Sequence, residues 1–78
     1  MLKIVSADYI KDYQILLTFN DGERRLADLK PYLKGEVFGE LEDLNLFTRY
    51  GLTGYTIEWE NGADLAPEFL YDIGKVVS

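Results

Sequence analysis

The chain contains neither cysteine nor histidine. Thiolates and imidazoles are the usual protein ligands of zinc, and histidine is the commonest general base and the usual partner of a serine or cysteine nucleophile. The two absences therefore argue against a zinc site and against most enzymes. Without cysteine there is also no disulfide framework, so side-chain packing has to stabilise the domain. We expect no cofactor, no metal site and no catalytic residues.

Long apolar runs are missing as well. The apolar residues at the start of the chain are followed at once by polar ones, which leaves neither the h-region of a signal peptide nor a membrane span. The seven glycines stand singly rather than in a phosphate-binding loop. We expect a cytoplasmic protein that does not contact membranes.

Positive charge is scarce, since 8 basic residues stand against 14 acidic ones and the net charge is −6. Affinity for DNA or RNA depends on clustered lysine and arginine. Only Arg24 and Arg25 are adjacent, and on a strand these two side chains point to opposite faces. We therefore expect no direct binding of nucleic acid. An acidic domain is more often merely soluble, and next most often the partner of something basic.

What the sequence does have is aromatic and apolar content. The chain has 78 residues, of which 47% are hydrophobic and 14% aromatic. This composition is typical of a globular protein, and the aromatic side chains bury much area for few ordered residues. We expect a single domain over residues 1–78, close to the smallest size that a core alone stabilises.

One phrase occurs twice: an aromatic residue, an Asx-Gly turn, then Ala-Asp-Leu and a proline. The first copy comprises Phe19, Asp21, Gly22, Asp28 and Pro31, and the second Trp59, Asn61, Gly62, Asp64 and Pro67. Glycine after Asp or Asn tolerates the positive φ of a tight turn, and proline is favoured in the first turn of a helix. The phrase therefore predicts a strand, a turn, a short strand and a helix start, and it carries no reaction chemistry.

The hydrophobic periodicity predicts an α+β fold, with a small antiparallel sheet carrying short helices on one face. We expect a three-stranded meander over residues 2–9, 13–19 and 23–29, and a second hairpin over 55–59 and 63–65, with Tyr55, Ile57 and Trp59 on one face. Pro31 should begin a helical turn that Gly35 closes. Asp43 should cap a helix over 44–50 that Gly51 ends. A last helix should run over 67–73, with Gly74 after it and residues 75–78 frayed.

Four carboxylates are the remaining candidates for chemistry: Asp28, Asp64, Glu68 and Asp72. Such groups can work as an acid–base pair or bind a hard cation. For Asp28 and Asp64 we favour a structural role, because each lies three residues before a proline at a strand-to-helix junction. A carboxylate there can accept backbone N–H bonds at the positive end of the helix.

Leu16, Tyr50 and Tyr71 are the candidates for an interaction surface. Leu16 lies opposite the apolar stripe of its strand. Leu2 and Ile4 are expected to lie opposite Val5, Ala7 and Tyr9, so apolar area would be left on the outer face of the sheet. Such a patch is typical of an interface and predicts a homodimer. If a helix or loop covers the patch, the chain is instead a monomer.

The chain resembles an uncharacterised bacterial family, domain of unknown function 2442. The resemblance covers nearly the whole chain, and its most specific part is Trp59-x-Asn61-Gly62-x-Asp64-Leu65-x-Pro67. Glu60 departs from the family, where a proline is common. The resemblance implies a small α+β domain, either alone or fused to a helix-turn-helix domain, and often encoded beside another small gene as in toxin–antitoxin or regulatory pairs. It implies no catalytic residues. We expect this chain to lack a DNA-binding helix pair and to act through a partner.

Three functions remain. The leading hypothesis is a non-enzymatic interaction or regulatory module that binds a protein partner or a second copy of itself. The alternative is a domain that senses a small ligand between aromatic side chains and an aspartate. The third is an enzyme that uses carboxylates alone.

Overall fold

The structure is a computed structural model that describes residues 1–77. It contains six strands: β1 (Ile4–Lys11), β2 (Gln14–Phe19), β3 (Arg24–Asp28), β4 (Tyr50–Thr53), β5 (Thr56–Trp59) and β6 (Lys75–Val76). It contains three short α-helices, α1 (Gly35–Phe38), α2 (Leu44–Phe47) and α3 (Pro67–Ile73). Two 3₁₀ turns, Lys30–Tyr32 and Gly39–Glu42, precede and follow α1.

Two antiparallel sheets result. The larger has the strand order β1-β2-β3-β6, and the smaller is the hairpin β4-β5. The predicted α+β class and the N-terminal meander are confirmed. The second hairpin is formed by β4 and β5, whereas Ala63–Leu65 contributes a single bridge between Asp64 and Glu58.

Alternation along β2 places the core. Ile15, Leu17 and Phe19 are fully buried, and the residues between them are half-buried on the other face. The same core takes in Phe47 from α2, Ile57 and Trp59 from β5, and Leu70 from α3. The period-2 pattern therefore identified the inward face of β2 correctly, because one face of a half-buried strand carries the apolar residues.

A β-bulge changes the faces of β1. Ile4 pairs with Phe19 and Ser6 with Thr18, so Val5 is an extra residue between the two pairs. Because of this shift, Ile4 lies on the same face as Ala7 and points into the core. The prediction that Ile4 lies opposite Ala7 and Tyr9 is wrong, since an uninterrupted alternation was assumed.

In the middle of the chain, the predicted cap at Asp43 is present, but the end of its helix and the role of Gly35 differ from the prediction. The Asp43 cap is confirmed, because its carboxylate accepts a hydrogen bond from the Asn45 N–H at 2.9 Å. The helix ends at Phe47, however, and Tyr50 and Gly51 belong to β4. Gly35 begins α1 with φ = +89° instead of closing the preceding turn.

The C-terminal segment contains α3 and β6. The predicted helix from Pro67 to Ile73, followed by Gly74, is confirmed. The predicted fraying of residues 75–77 is wrong: Lys75 and Val76 pair with β3, and the Val77 N–H bonds to the Arg24 carbonyl at 2.9 Å. Ser78, the last residue of that prediction, lies outside the described residues.

Candidate functional site

The two copies of the repeated phrase form the same turn. In the first, the Gly22 N–H bonds to the Phe19 carbonyl at 2.9 Å and the Asp21 carboxylate accepts from the Glu23 N–H at 2.9 Å. In the second, Gly62 and Trp59 make the corresponding bond at 2.9 Å. Both glycines have φ = +90°, which only glycine adopts without strain. The Asx-Gly turns therefore form at both predicted positions, and their side chains and glycines take part in the turn geometry.

Asn61 joins this turn to the helical segment. Its amide nitrogen donates to the Val37 carbonyl at 3.0 Å and to Glu40 at 2.8 Å, while its oxygen accepts from the Ala63 N–H at 3.1 Å. The neighbouring Trp59 is anchored in the core by a 2.7 Å bond from its indole N–H to the Phe47 carbonyl. The two donated bonds need an amide at this position, because a carboxylate such as that of Asp21 in the first turn has no N–H to donate.

The two junction aspartates play different roles. Asp28 accepts a hydrogen bond from the Lys30 N–H at 3.1 Å, where the 3₁₀ turn begins, as predicted. Asp64 does not cap α3: the cap residue is Ala66, and within residues 1–77 the exposed Asp64 carboxylate has no hydrogen-bond or ion-pair partner. The capping prediction for Asp64 is wrong because its backbone bridges to Glu58 and directs the side chain outward.

Asp64 instead lines a depression of about 220 Å³ between the hairpin and α3, which we call the notch. Its lining residues are Tyr55, Thr56, Asp64, Leu65, Ala66, Pro67 and Glu68. The base is rigid, because Thr56 and Pro67 are buried and the Thr56 hydroxyl donates to the Leu65 carbonyl. The rim carries an aromatic ring that is 50% exposed, Tyr55, and the carboxylates of Asp64 and Glu68.

Tyr55 is the residue of the notch that the pattern did not reveal. It was predicted on the apolar face with Ile57 and Trp59. Those two residues are buried in β5, whereas Tyr55 is exposed in the turn before that strand. The available signal was Gly54, whose φ of +65° marks that turn. Glu68 lines the notch, whereas Asp72, one helical turn further along α3, does not. In the described part of the chain no group of three or more acidic side chains is arranged to hold a metal ion.

A second polar cluster lies where α3 meets the β2-β3 turn. The Arg25 guanidinium donates to the Tyr71 carbonyl at 2.7 Å, lies 3.7 Å from the centre of the Tyr71 ring and forms an ion pair with Glu23 at 2.8 Å. The Tyr71 hydroxyl donates to Asp21 at 2.8 Å. The Glu23 N–H and this hydroxyl hold the pKa of Asp21 below its ordinary 3.8, and the bond to Asp21, with burial, raises the pKa of Tyr71 above 10.0.

The three residues predicted as an interaction surface lie on different parts of the fold. Leu16 is half-buried on the outer face of the sheet. Tyr71 packs edge-on against Phe19, with ring centres 4.9 Å apart. Tyr50 donates a hydrogen bond of 3.1 Å to the Ala7 carbonyl at the edge of β1, and burial raises its pKa. The two tyrosines thus join elements of the fold, and only Leu16 remains a candidate for outward contacts.

Comparison with known protein families shows to which family the chain belongs. A family model, DUF2442, described as "Protein of unknown function", matches residues 4–75. The chain belongs to the DUF2442 family. No match was found among curated proteins or among solved structures. The match to DUF2442 includes both Asx-Gly turns, the notch and the Arg25–Tyr71 cluster.

One further finding concerns the helices of this DUF2442 chain. None of those described within residues 1–77 has the length and apolar character needed to cross a membrane.

Proposed function

We propose that this chain is a non-catalytic protein-binding module whose notch receives a lysine or arginine side chain of a basic partner. The observation that carries the proposal is the exposed Tyr55 ring beside the carboxylates of Asp64 and Glu68, neither of which has a hydrogen-bond or ion-pair partner among residues 1–77. The proposal includes action in the cytoplasm, through a partner and without direct contact to nucleic acid, as expected for one member of a regulatory pair.

The chemistry of the notch suits a cation on a flexible stem. A cation over an aromatic face gains about 0.5–1 kcal/mol at an exposed site, and more when it is desolvated. The carboxylates add charge-assisted hydrogen bonds. The buried Thr56 and Pro67 keep the base fixed, so a partner orders few side chains of this module on binding.

The overall charge supports the same partner. The chain carries a net charge of −6, and within residues 1–77 the ion pairs involve only Glu23, Glu42 and Glu60. The acidic surface is therefore mostly uncompensated. Such a field accelerates the encounter with a basic protein.

A small-ligand function is less well supported. The notch holds about 220 Å³, and a depression beside Tyr13 holds about 290 Å³. Pockets for small molecules are usually enclosed clefts of roughly 300–1,000 Å³. A shallow notch with a charged rim is better suited to one side chain of a larger partner.

Affinity purification from the native cell, followed by mass spectrometry, tests the proposal. The tagged baits are the wild type, the notch variant Asp64→Asn/Glu68→Gln, and the control Glu36→Gln/Asp72→Asn, which removes the same charge outside the notch. We expect a stoichiometric basic protein with the wild type and the control and its loss with the notch variant. Equal recovery on all three baits, or a retained small molecule and no protein, would contradict the proposal.

A further inference from the structure

A row of four side chains crosses the outer face of the larger sheet, one from each strand. Asp8 pairs with Leu16, Leu16 with Leu26, and Leu26 with Lys75. Directly paired residues project to the same side of a sheet. The row therefore has a carboxylate at one end, two leucines in the middle and an ammonium group at the other end.

This face is turned away from the core. The buried side chains of β2 and β3, among them Leu17 and Ala27, lie on the opposite face. Leu16 and Leu26 are half-buried, and neither is among the residues that pack against the core. Asp8 and Lys75 are exposed, and neither forms an ion pair within residues 1–77. The row thus offers apolar area and two unpaired charges of opposite sign.

We propose that the outer face packs against the same face of a second copy of this chain. Packed sheets keep their strand directions within about 30° of each other. When the two-fold axis runs along the strands, the row of one copy lies over that of the other in reverse order. Asp8 then meets Lys75 of the second copy at both ends, and Leu16 meets its Leu26.

The charges select this orientation. With the axis along the row instead, Arg24 and Asp28 of opposite copies would meet, but Asp8 would face Asp8 and Lys75 would face Lys75. In the first orientation Arg24 lies over Thr18 and Asp28 over Gln14, so no like charges meet. Like charges across an interface are costly and set the docking direction.

The area indicates a weak dimer. Three strands of at least five residues and the two-residue β6, about 4.8 Å apart, give a face of at most roughly 15 by 17 Å. This is roughly 250 Å² per copy, less than a stable specific interface buries, so the dimer is weak and transient. A depression of about 170 Å³ adjoins Leu26 and is lined by both apolar side chains, such as Pro31 and Ile73, and polar ones, such as Gln14 and Asp28.

Sedimentation equilibrium from about 10 µM to about 1 mM tests the dimer and its orientation, at about 0.15 M salt, where the long-range repulsion between two copies of net charge −6 is largely screened. The charge reversals Asp8→Lys and Lys75→Asp are made singly. Each variant alone places like charges opposite each other in the dimer. We therefore expect the dissociation constant of the dimer to rise at least roughly tenfold. An equimolar mixture restores both opposite-charge pairs and should associate as strongly as the wild type.

Glu36→Lys and Lys34→Asp are the matched controls, because they make the same charge changes at exposed positions outside the sheet. They should leave the dissociation constant unchanged. A wild type that is monomeric throughout the range overturns the proposal. So does a dimer that the reversals do not weaken, or one that the mixture does not restore. This outcome is independent of the notch, whose residues lie on the hairpin, on α3 and on the segment that joins them, away from the outer face of the larger sheet.

Discussion

Tyr71 contacts both an acidic and a basic side chain. Its hydroxyl bonds to Asp21 while its ring lies beneath the Arg25 guanidinium. The hydroxyl helps to hold the pKa of Asp21 low, and the bond to Asp21 raises the pKa of Tyr71. The bond thus favours the ionised carboxyl and the neutral phenol in the folded protein.

Replacing Tyr71 with Phe tests this bond through pH. The ring and its contact with Arg25 remain, but the hydroxyl is lost. For Asp21, a pKa lowered on folding adds stability above the unfolded value of 3.8, which is lost as the pH falls through the folded pKa. For Tyr71, a raised pKa adds stability below 10.0, which is lost as the pH rises through the folded pKa. In urea unfolding, the wild type should have a larger free energy of unfolding than Tyr71→Phe at neutral pH. This difference should shrink at acidic and at strongly alkaline pH. A pH-independent difference would refute the assignment.

Gly74 is required for a different reason from the turn glycines. Its φ is −73°, which any residue adopts, but a Cβ there would lie 2.7 Å from Arg25 Cβ and 2.9 Å from the Leu70 carbonyl oxygen. We expect Gly74→Ala to cost about 1–3 kcal/mol through overpacking. Gly51→Ala is the control, since nothing lies within 4 Å of its Cβ position. Equal stability of the two variants in thermal unfolding would show that α3 and β3 are less closely packed than described.

Substitutions of Asn61 and Asp64 should have different effects on stability, because of these two side chains only that of Asn61 forms hydrogen bonds that hold residues 1–77 together. Asn61→Ala removes three hydrogen bonds and should lower the free energy of unfolding by about 1–3 kcal/mol. Asp64→Ala removes an exposed carboxylate without a partner in residues 1–77 and should stay within about 0.5 kcal/mol of the wild type. Chemical denaturation of both variants measures this. A loss of more than about 1 kcal/mol in Asp64→Ala would restore the capping role.

At the scale of elements, local signals predicted some parts of the fold and missed others. Three parts of the fold could be predicted because the signal lies within their own sequence. These are β2, through its alternation, the Asx-Gly turns, and α3, through its initial proline and the glycine after it. Tyr50 and Gly51 resemble a helix end, yet β4 forms because Tyr50 packs on Trp59, with ring centres 6.3 Å apart. β6 depends on β3 in the same way. Such tertiary contacts override local preference and leave no short-range signal.

Tyr50 also joins the two sheets. Its hydroxyl donates to the Ala7 carbonyl at 3.1 Å, and the nearby Tyr9 backbone partly offsets the rise in its pKa, so the side chain occupies part of the β1 edge. Tyr50→Phe should keep the packing on Trp59 and lose about 0.5–1.5 kcal/mol of stability. Hydrogen exchange should become faster at Tyr9 while Leu17 in the central strand stays protected. Unchanged exchange at Tyr9 would exclude this role.

At the scale of the whole molecule, the notch combines residues from separate parts of the chain. Asp64, Pro67 and Glu68 were visible as a group in the sequence, but their interpretation as a capped helix start was wrong for Asp64. Tyr55 was missed because the turn at Gly54 brings it beside a segment that follows later in the chain. No periodicity encodes a contact of this kind. The acidic balance, in contrast, is a property of composition and needed no structure.

The most direct test of the account is a selection of displayed random peptides on the immobilised chain, with the notch variant Asp64→Asn/Glu68→Gln and the control Glu36→Gln/Asp72→Asn in parallel. If the chain is a module that binds basic partners through the notch, the wild type and the control should both enrich sequences with lysine or arginine. Those sequences should fail to bind the notch variant and should also be weakened by Tyr55→Ala. Enriched peptides without basic residues, or peptides that bind all variants equally well, would contradict the account.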